Sequence, residues 1–274
     1  MRALAYLLLA VTCLFSSTVR ADEDRQHFMR FQHQGEVKHG RVNGQTIEVL
    51  SGDFLDNASP TGEKISIAAV TPLPPTQATK VFAVGMNFAS HLASNATGAP
   101  PLFLKLPSSL IGHTANIELP DDAENVHFEG ELVLVIAKRA KKVSIAEAPD
   151  YIFGVTAGND LSERSWQGRD LQWMRAKASD GFGPVGPVVA TGLNFHDVLL
   201  TTRLNGNVMQ QESTKNMIHK PEKVVSYLSQ YFTLEPGDLI FMGTPGRTRA
   251  LSNNDVISVE IDGIGTLENK IIKN

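Results

Sequence analysis

The run His127-Phe128-Glu129-Gly130-Glu131-Leu132-Val133-Leu134-Val135-Ile136 carries the strongest signal in this chain. After Glu131 it is wholly apolar and rich in branched side chains, so it reads as a buried strand. Side chains at i and i+2 of a strand leave the same face, roughly 7 Å apart, which sets Glu129 beside Glu131. Two acids aimed one way at the head of a buried strand repel each other and lose solvation. A hard cation resolves that conflict, and Mg²⁺ takes oxygen ligands while keeping positions open for water or substrate. Downstream, Gly158-Asn159-Asp160 offers a third carboxylate. Taken alone, a Glu-x-Glu pair is more often a solvated strand end with two surface acids, because charged residues are mostly exposed.

Outward from this strand the chain continues as short apolar runs broken by turn chemistry. Val81-Phe82-Ala83-Val84 is one such run, and Pro120-Asp121-Asp122, Asn205-Gly206, Pro236-Gly237-Asp238 and Asp262-Gly263 are turn signals. Helical candidates are few: one turn at Ser144 to Ala148, and a helix from Pro221 to Gln230 with Val224, Val225 and Leu228 on one side. The expected fold is a mixed β-roll or β-sandwich with some helical cover. Residues 22–75 read as a small N-terminal β-rich domain containing an Asn43-Gly44 hairpin. The stiff linker Thr71-Pro72-Leu73-Pro74-Pro75 then leads into a main domain over 76–274.

The first 21 residues read as a secretory signal peptide: Arg2, an apolar run from Leu4 to Phe15, and Val19 and Ala21 before a cut at Asp22. An uncleaved anchor is the alternative. The expected mature protein is exported, periplasmic or secreted, and leaves the membrane once cut. It loses Cys13, the one cysteine, and needs no disulfide. It also loses Arg2 and Arg20, leaving 23 basic against 29 acidic residues, a formal charge of −6. Such a chain, without a basic block, is poorly suited to nucleic acid or an anionic membrane. The full 274-residue sequence, at 42% hydrophobic and 20% charged, has an ordinary globular composition.

Several polar residues stand where chemistry could occur. His91, in Asn87-Phe88-Ala89-Ser90-His91, precedes a small-residue stretch from Ala93 to Pro101 that suits a lid, and imidazole is the usual base near neutral pH. A surface or capping histidine is the plainer reading. Asp160 to Gln167 looks like a strand end turning into a helix, with Arg164 and Gln167 on the face of Asp160. The plainer reading there is an exposed Asp–Arg pair of little worth. Lys177 heads a path fixed by Gly181, Gly183, Pro184, Gly186 and Pro187, from which it could reach an oxyanion. Read alone, it is a solvated loop lysine. Gly243-Thr244 at a strand end suits a carboxylate. The histidines fall in no zinc spacing.

In order along the chain, Gly85 to His91, Phe103-Leu104-Lys105, Glu129-Gly130-Glu131, Asn159 to Arg164, Gln172 to Lys177, Phe182 to Pro187, Asn205-Gly206, Pro236 to Asp238 and Gly243 to Pro245 closely resemble the fumarylacetoacetate hydrolase family. Within that family the chain resembles 2-hydroxyhepta-2,4-diene-1,7-dioate isomerases and acylpyruvate hydrolases. The resemblance implies a homodimeric mixed β-roll holding Mg²⁺, or Mn²⁺ or Ca²⁺, on Glu129, Glu131 and Asp160. It implies that Arg164, Gln167 and Lys177 bind the substrate or its oxyanion, that Thr244 holds a carboxylate, and that His91 is the lid base. It also implies isomerisation, decarboxylation or carbon–carbon hydrolysis of 2-oxo or 1,3-dicarbonyl acids, often from aromatic catabolism, through a chelated enolate. One departure is local. Many members carry His-x-x-Glu in the lid, and here that position is Ser94. The change favours isomerisation or decarboxylation over water activation. It also keeps open a second reading, a non-catalytic metal and dicarboxylate binder of the same fold.

Overall fold

The computed structural model describes residues 25–92 and 98–273. The signal segment, Cys13 and Ser94 lie outside the described residues. Strand Gly130–Ile136 is buried along its whole length, on both faces. Leu132, Leu134 and Ile136 enter one core with Leu200, Val259 and Leu267. Val133 and Val135 enter another with Val81, Val185 and Phe241. Alternation is invisible in its sequence because neither face is solvated.

On one edge this strand pairs antiparallel with Ile152–Asn159, setting Gly130 against Asn159 and Glu131 against Gly158. On the other it pairs with Leu239–Phe241, which runs parallel to Val81–Val84. Leu102–Lys105 closes that end of a twelve-stranded mixed sheet. A five-stranded sheet built from Asn116–Glu118, Leu199–Leu204, Asn207–Ser213, Val256–Ile261 and Gly265–Ile272 covers one face. Helix Pro221–Tyr231 adds Val224, Val225 and Leu228 to the same core. The expected mixed architecture with few helices is what the chain adopts.

Three local features differ from the sequence reading. The loop between strands Glu36–Asn43 and Thr46–Leu50 is Gly44-Gln45, because Asn43 still pairs with Thr46. Gly44 alone takes positive φ there, +59°, the requirement of a turn with glycine first. The Asn205-Gly206 turn forms as read, with both residues at positive φ. Thr71–Pro72, read as linker, is a short strand on Phe31 and Gln32. Strand Gln26–His33 also pairs with Gly183–Thr191, so the N-terminal hairpins extend the large sheet.

Candidate active site

The pairing of Gly130 with Asn159 dictates the centre of the site, because it brings the residues just beyond both strand ends together. The Asp160 amide donates to the Glu129 carbonyl at 2.8 Å, and the Glu129 amide donates to Asn159 Oδ1 at 2.9 Å. Glu129, Glu131 and Asp160 are 4%, 2% and 1% exposed. One oxygen from each lies within 4.8 Å of the others. Gly130 between the glutamates is required by close approach: a Cβ there would sit 2.1 Å from Thr202 Oγ1.

Three cations face these acids. Lys177 Nζ donates to Glu129 Oε2 at 2.6 Å and to Asp160 Oδ2 at 2.5 Å. Lys105 Nζ donates to Asp160 Oδ1 at 2.6 Å and to the Lys177 carbonyl. Arg164 Nη2 donates to Glu129 Oε1 at 2.5 Å. Among the described residues Glu131 makes no ion pair within 4 Å; Gly243 N–H donates to it at 2.6 Å. Burial pushes the Glu129 carboxyl up, but Lys177 and Arg164 outweigh it and hold the group well below the ordinary range. Burial, then Asp160 and Glu129, push Glu131 well above that range. Burial lowers Lys105 and also opposes charge on Lys177, where Asp160 and Glu129 prevail and raise it.

A cavity of about 260 Å³ opens on this cluster, and all the residues singled out in the described chain line it: His91, Glu129, Glu131, Asp160, Arg164, Gln167, Lys177 and Thr244. Their arrangement differs from the sequence reading in three respects. The helix is Arg164–Gln167 and begins after Asp160, so Arg164 meets Glu129, while Arg164 Nη1 donates to Gln167 Oε1 at 2.8 Å. Lys177 stands on a short helix, Met174–Ala178, and is 3% exposed. The two residues before it, Gln172 and Trp173, both have positive φ (57° and 59°), a costly conformation for non-glycine residues. The Thr244 hydroxyl donates to the Gly130 carbonyl at 2.8 Å and accepts from Gln210 Nε2 at 2.9 Å, bracing the Gly243 loop on the strand that carries Glu131. His91 Nδ1 lies 2.6 Å from the Gly246 carbonyl and Nε2 lies 3.6 Å from Glu129 Oε1.

Sequence reasoning assigned no role to Lys105, Ser162, Gln210, His127 or Thr248. Ser162 donates to Glu129 Oε2 at 3.1 Å. The only signal for Gln210 is a polar residue on a strand, which is too common to act on. The acids form an all-oxygen donor set, buried and partly uncompensated at Glu131. That set fits a hard divalent cation.

The fumarylacetoacetate (FAA) hydrolase C-terminal family model matches residues 80–272, and an Rv2993c-like N-terminal model matches 26–75. Protein Rv2993c of Mycobacterium tuberculosis is 44% identical over 220 residues, spanning 78% of this chain and 83% of its own. The mitochondrial oxaloacetate tautomerase FAHD2A of Bos taurus is 36% identical over 254 residues, 83% of this chain and 81% of its own. The crystal structure of 5-carboxymethyl-2-hydroxymuconate delta-isomerase from Mycobacterium smegmatis superposes with a TM-score of 0.86 at 38% identity, covering 90% of this chain and all of that one. With the acid triad at the meeting point of three strands and the family model spanning most of its length, the chain belongs to the fumarylacetoacetate hydrolase family.

Proposed function

We propose that this chain is a divalent-metal-dependent enzyme that moves a proton on 2-oxo or 1,3-dicarbonyl dicarboxylic acids, as a tautomerase or isomerase. The observation that carries the reading is the buried Glu129–Glu131–Asp160 triad opening on a cavity with His91, Arg164 and Lys177. Glu129, Glu131 and Asp160 would hold Mg²⁺, with Mn²⁺ or Ca²⁺ as substitutes, and the ion would polarise the 2-oxo group as a Lewis acid. The charges support a dianionic substrate. Three carboxylates are offset by Lys105, Lys177 and Arg164, so a divalent ion leaves an excess of two positive charges. The relatives named for oxaloacetate tautomerisation and muconate isomerisation support the same class.

His91 is the base in this reading. The Gly246 carbonyl can only accept, so it fixes the proton on Nδ1 and leaves the Nε2 lone pair for the substrate. That carbonyl supplies the orientation a lid glutamate gives elsewhere. After proton uptake, the imidazolium faces Glu129. Arg164 retains Nε–H and one Nη1 proton, either of which is free to donate to a substrate carboxylate. Phe103 and Trp173 wall the cavity. The test is deuterium exchange at C3 of oxaloacetate, followed by NMR with Mg²⁺ and Mn²⁺. His91→Ala should slow exchange by about 10²–10⁴-fold. Tight binding of oxaloacetate by the wild-type protein with no exchange above background would sink the enzyme reading and leave the binding protein.

A second copy of the chain is the proposed partner. Leu102–Lys105 ends the large sheet with one edge unpaired among the described residues. Beside it runs an apolar groove of about 520 Å³ lined by Leu104, Leu106, Met174 and Phe232, all exposed. An open apolar edge is a liability in a monomer, and it complements itself across a two-fold axis. Light scattering should give a dimer for the wild type and a monomer for Leu104→Glu. A monomeric wild type at micromolar concentration would contradict this.

A further inference from the structure

Arg164 owes part of its orientation to groups that lie beyond the cavity. Both Nη2 protons are committed, one to Glu129 Oε1 at 2.5 Å and one to Thr248 Oγ1 at 3.2 Å. Thr248 Oγ1 also lies 2.9 Å from His127 Nδ1, and His127 Nε2 lies 3.0 Å from Asn125 Oδ1. With the Asn125 carbonyl oxygen accepting, His127 carries its proton on Nε2 and accepts at Nδ1. The Thr248 hydroxyl must then donate to His127, which turns its lone pairs toward Arg164. The chain of bonds has one direction, from Arg164 through Thr248 and His127 to Asn125. The backbone fixes both ends: Arg164 N donates to the Asn125 carbonyl at 3.0 Å, and His127 forms an isolated bridge with Ala250.

We infer that Thr248 and His127 are positioning residues that lock the guanidinium plane of Arg164, so that its remaining donors meet a substrate carboxylate. The inference rests on the reading of the cavity as an oxo-acid site. It adds a consequence for the loop after Gly243. Gly246 orients His91 and Thr248 orients Arg164, so one short segment sets both the base and the anion-binding cation. The sequence between them, Gly246-Arg247-Thr248, is therefore a determinant of substrate affinity as well as a turn.

The test measures binding of oxalate, a planar dianion that mimics a 2-oxo carboxylate, by calorimetry with Mg²⁺ present, alongside KM and kcat for oxaloacetate. Thr248→Val should weaken oxalate and raise KM about tenfold, as expected for losing a bond to a charged donor, with kcat changed less than about threefold. Thr248→Ser keeps the hydroxyl and should stay within about twofold of wild type. His127→Leu should act in the direction of Thr248→Val, and His127→Asn, which places an acceptor where Nδ1 stood, should restore most of the loss. Affinity for Mg²⁺ alone should not move in any variant, because Glu129 keeps Lys177 and the second Arg164 proton. Oxalate binding by Thr248→Val equal to wild type, or a Thr248→Ser variant as weak as Thr248→Val, overturns the inference. A wild type that binds oxalate without turning over oxaloacetate overturns the catalytic reading alone, and the oxalate series then still decides the role of Thr248. A wild type that binds no oxalate with Mg²⁺ overturns both.

Discussion

Replacing Lys177 with methionine should destabilise the metal-free protein by about 3–5 kcal/mol, the usual consequence of stripping one partner from a buried ionic cluster. The ammonium touches both Glu129 and Asp160, and all three groups are buried. Methionine fills the volume and supplies no charge, so Glu129 is left with Arg164 and Asp160 with Lys105. Turnover should fall by at least about 10²-fold if Lys177 also steadies negative charge developing on the substrate. The more discriminating result concerns the cation. Mg²⁺ should raise the Tm of Lys177→Met more than that of the wild type, because it replaces the missing positive charge. Thermal denaturation with and without Mg²⁺ measures this. A Mg²⁺-induced shift equal to or smaller than that of the wild type would mean that Lys177 and the cation do not share the same carboxylates.

The three acids were legible because a Glu-x-Glu pair opens a run that has no reason to end in charges unless something holds them. Lys105 was not legible, although its segment was noticed. In Leu102-Phe103-Leu104-Lys105 the lysine is buried and Leu104 is 55% exposed, the reverse of what polarity predicts. The reversal comes from partners far away in sequence, the Asp160 carboxylate and the Lys177 carbonyl. Lys177 itself read as a loop residue, because nothing in Gln172-Trp173 signals consecutive left-handed residues ahead of a helix. The joining of the N-terminal hairpins to the main sheet depends on the register of Phe28 against Val189. That pairing spans most of the chain and leaves no local trace. Turn positions were readable to within one residue, as Asn43-Gly44 shows, since glycine tolerates either central position of a hairpin turn.

The same isosteric change at the two glutamates should have opposite effects on the metal-free protein. Glu131 is pushed up by burial, Asp160 and Glu129, which prevail over the Lys177 charge and the Gly243 N–H that donates to it. Its contribution to stability is therefore complete below the ordinary glutamate value, about 4.3, and is lost as pH rises toward its raised folded value. Glu131→Gln removes that penalty and can still accept from Gly243. It should stabilise the metal-free protein at pH 8, and the gain should vanish once the pH falls below the ordinary glutamate value. Glu129 is held low, because Lys177 and Arg164 overcome its burial. Its contribution is present above the ordinary value and is lost as pH falls through it toward the lowered folded value. Glu129→Gln should therefore cost about 3 kcal/mol at pH 8, and the cost should shrink on acidification. Both variants replace one carboxylate of the triad with a neutral amide, whose oxygen is a weaker donor to a hard cation. Each should forfeit the stabilisation by Mg²⁺, which reaches about 2.7 kcal/mol at a hundredfold excess over Kd. Denaturant titrations at about pH 3.5, below the ordinary glutamate value, and at pH 8, with and without Mg²⁺, separate these effects. Equal destabilisation by both substitutions would show that Glu131 is compensated by a group other than Gly243. Undiminished Mg²⁺ stabilisation in Glu131→Gln would show that the Glu131 carboxylate does not hold the ion, because a neutral amide oxygen binds a hard cation more weakly than a carboxylate does.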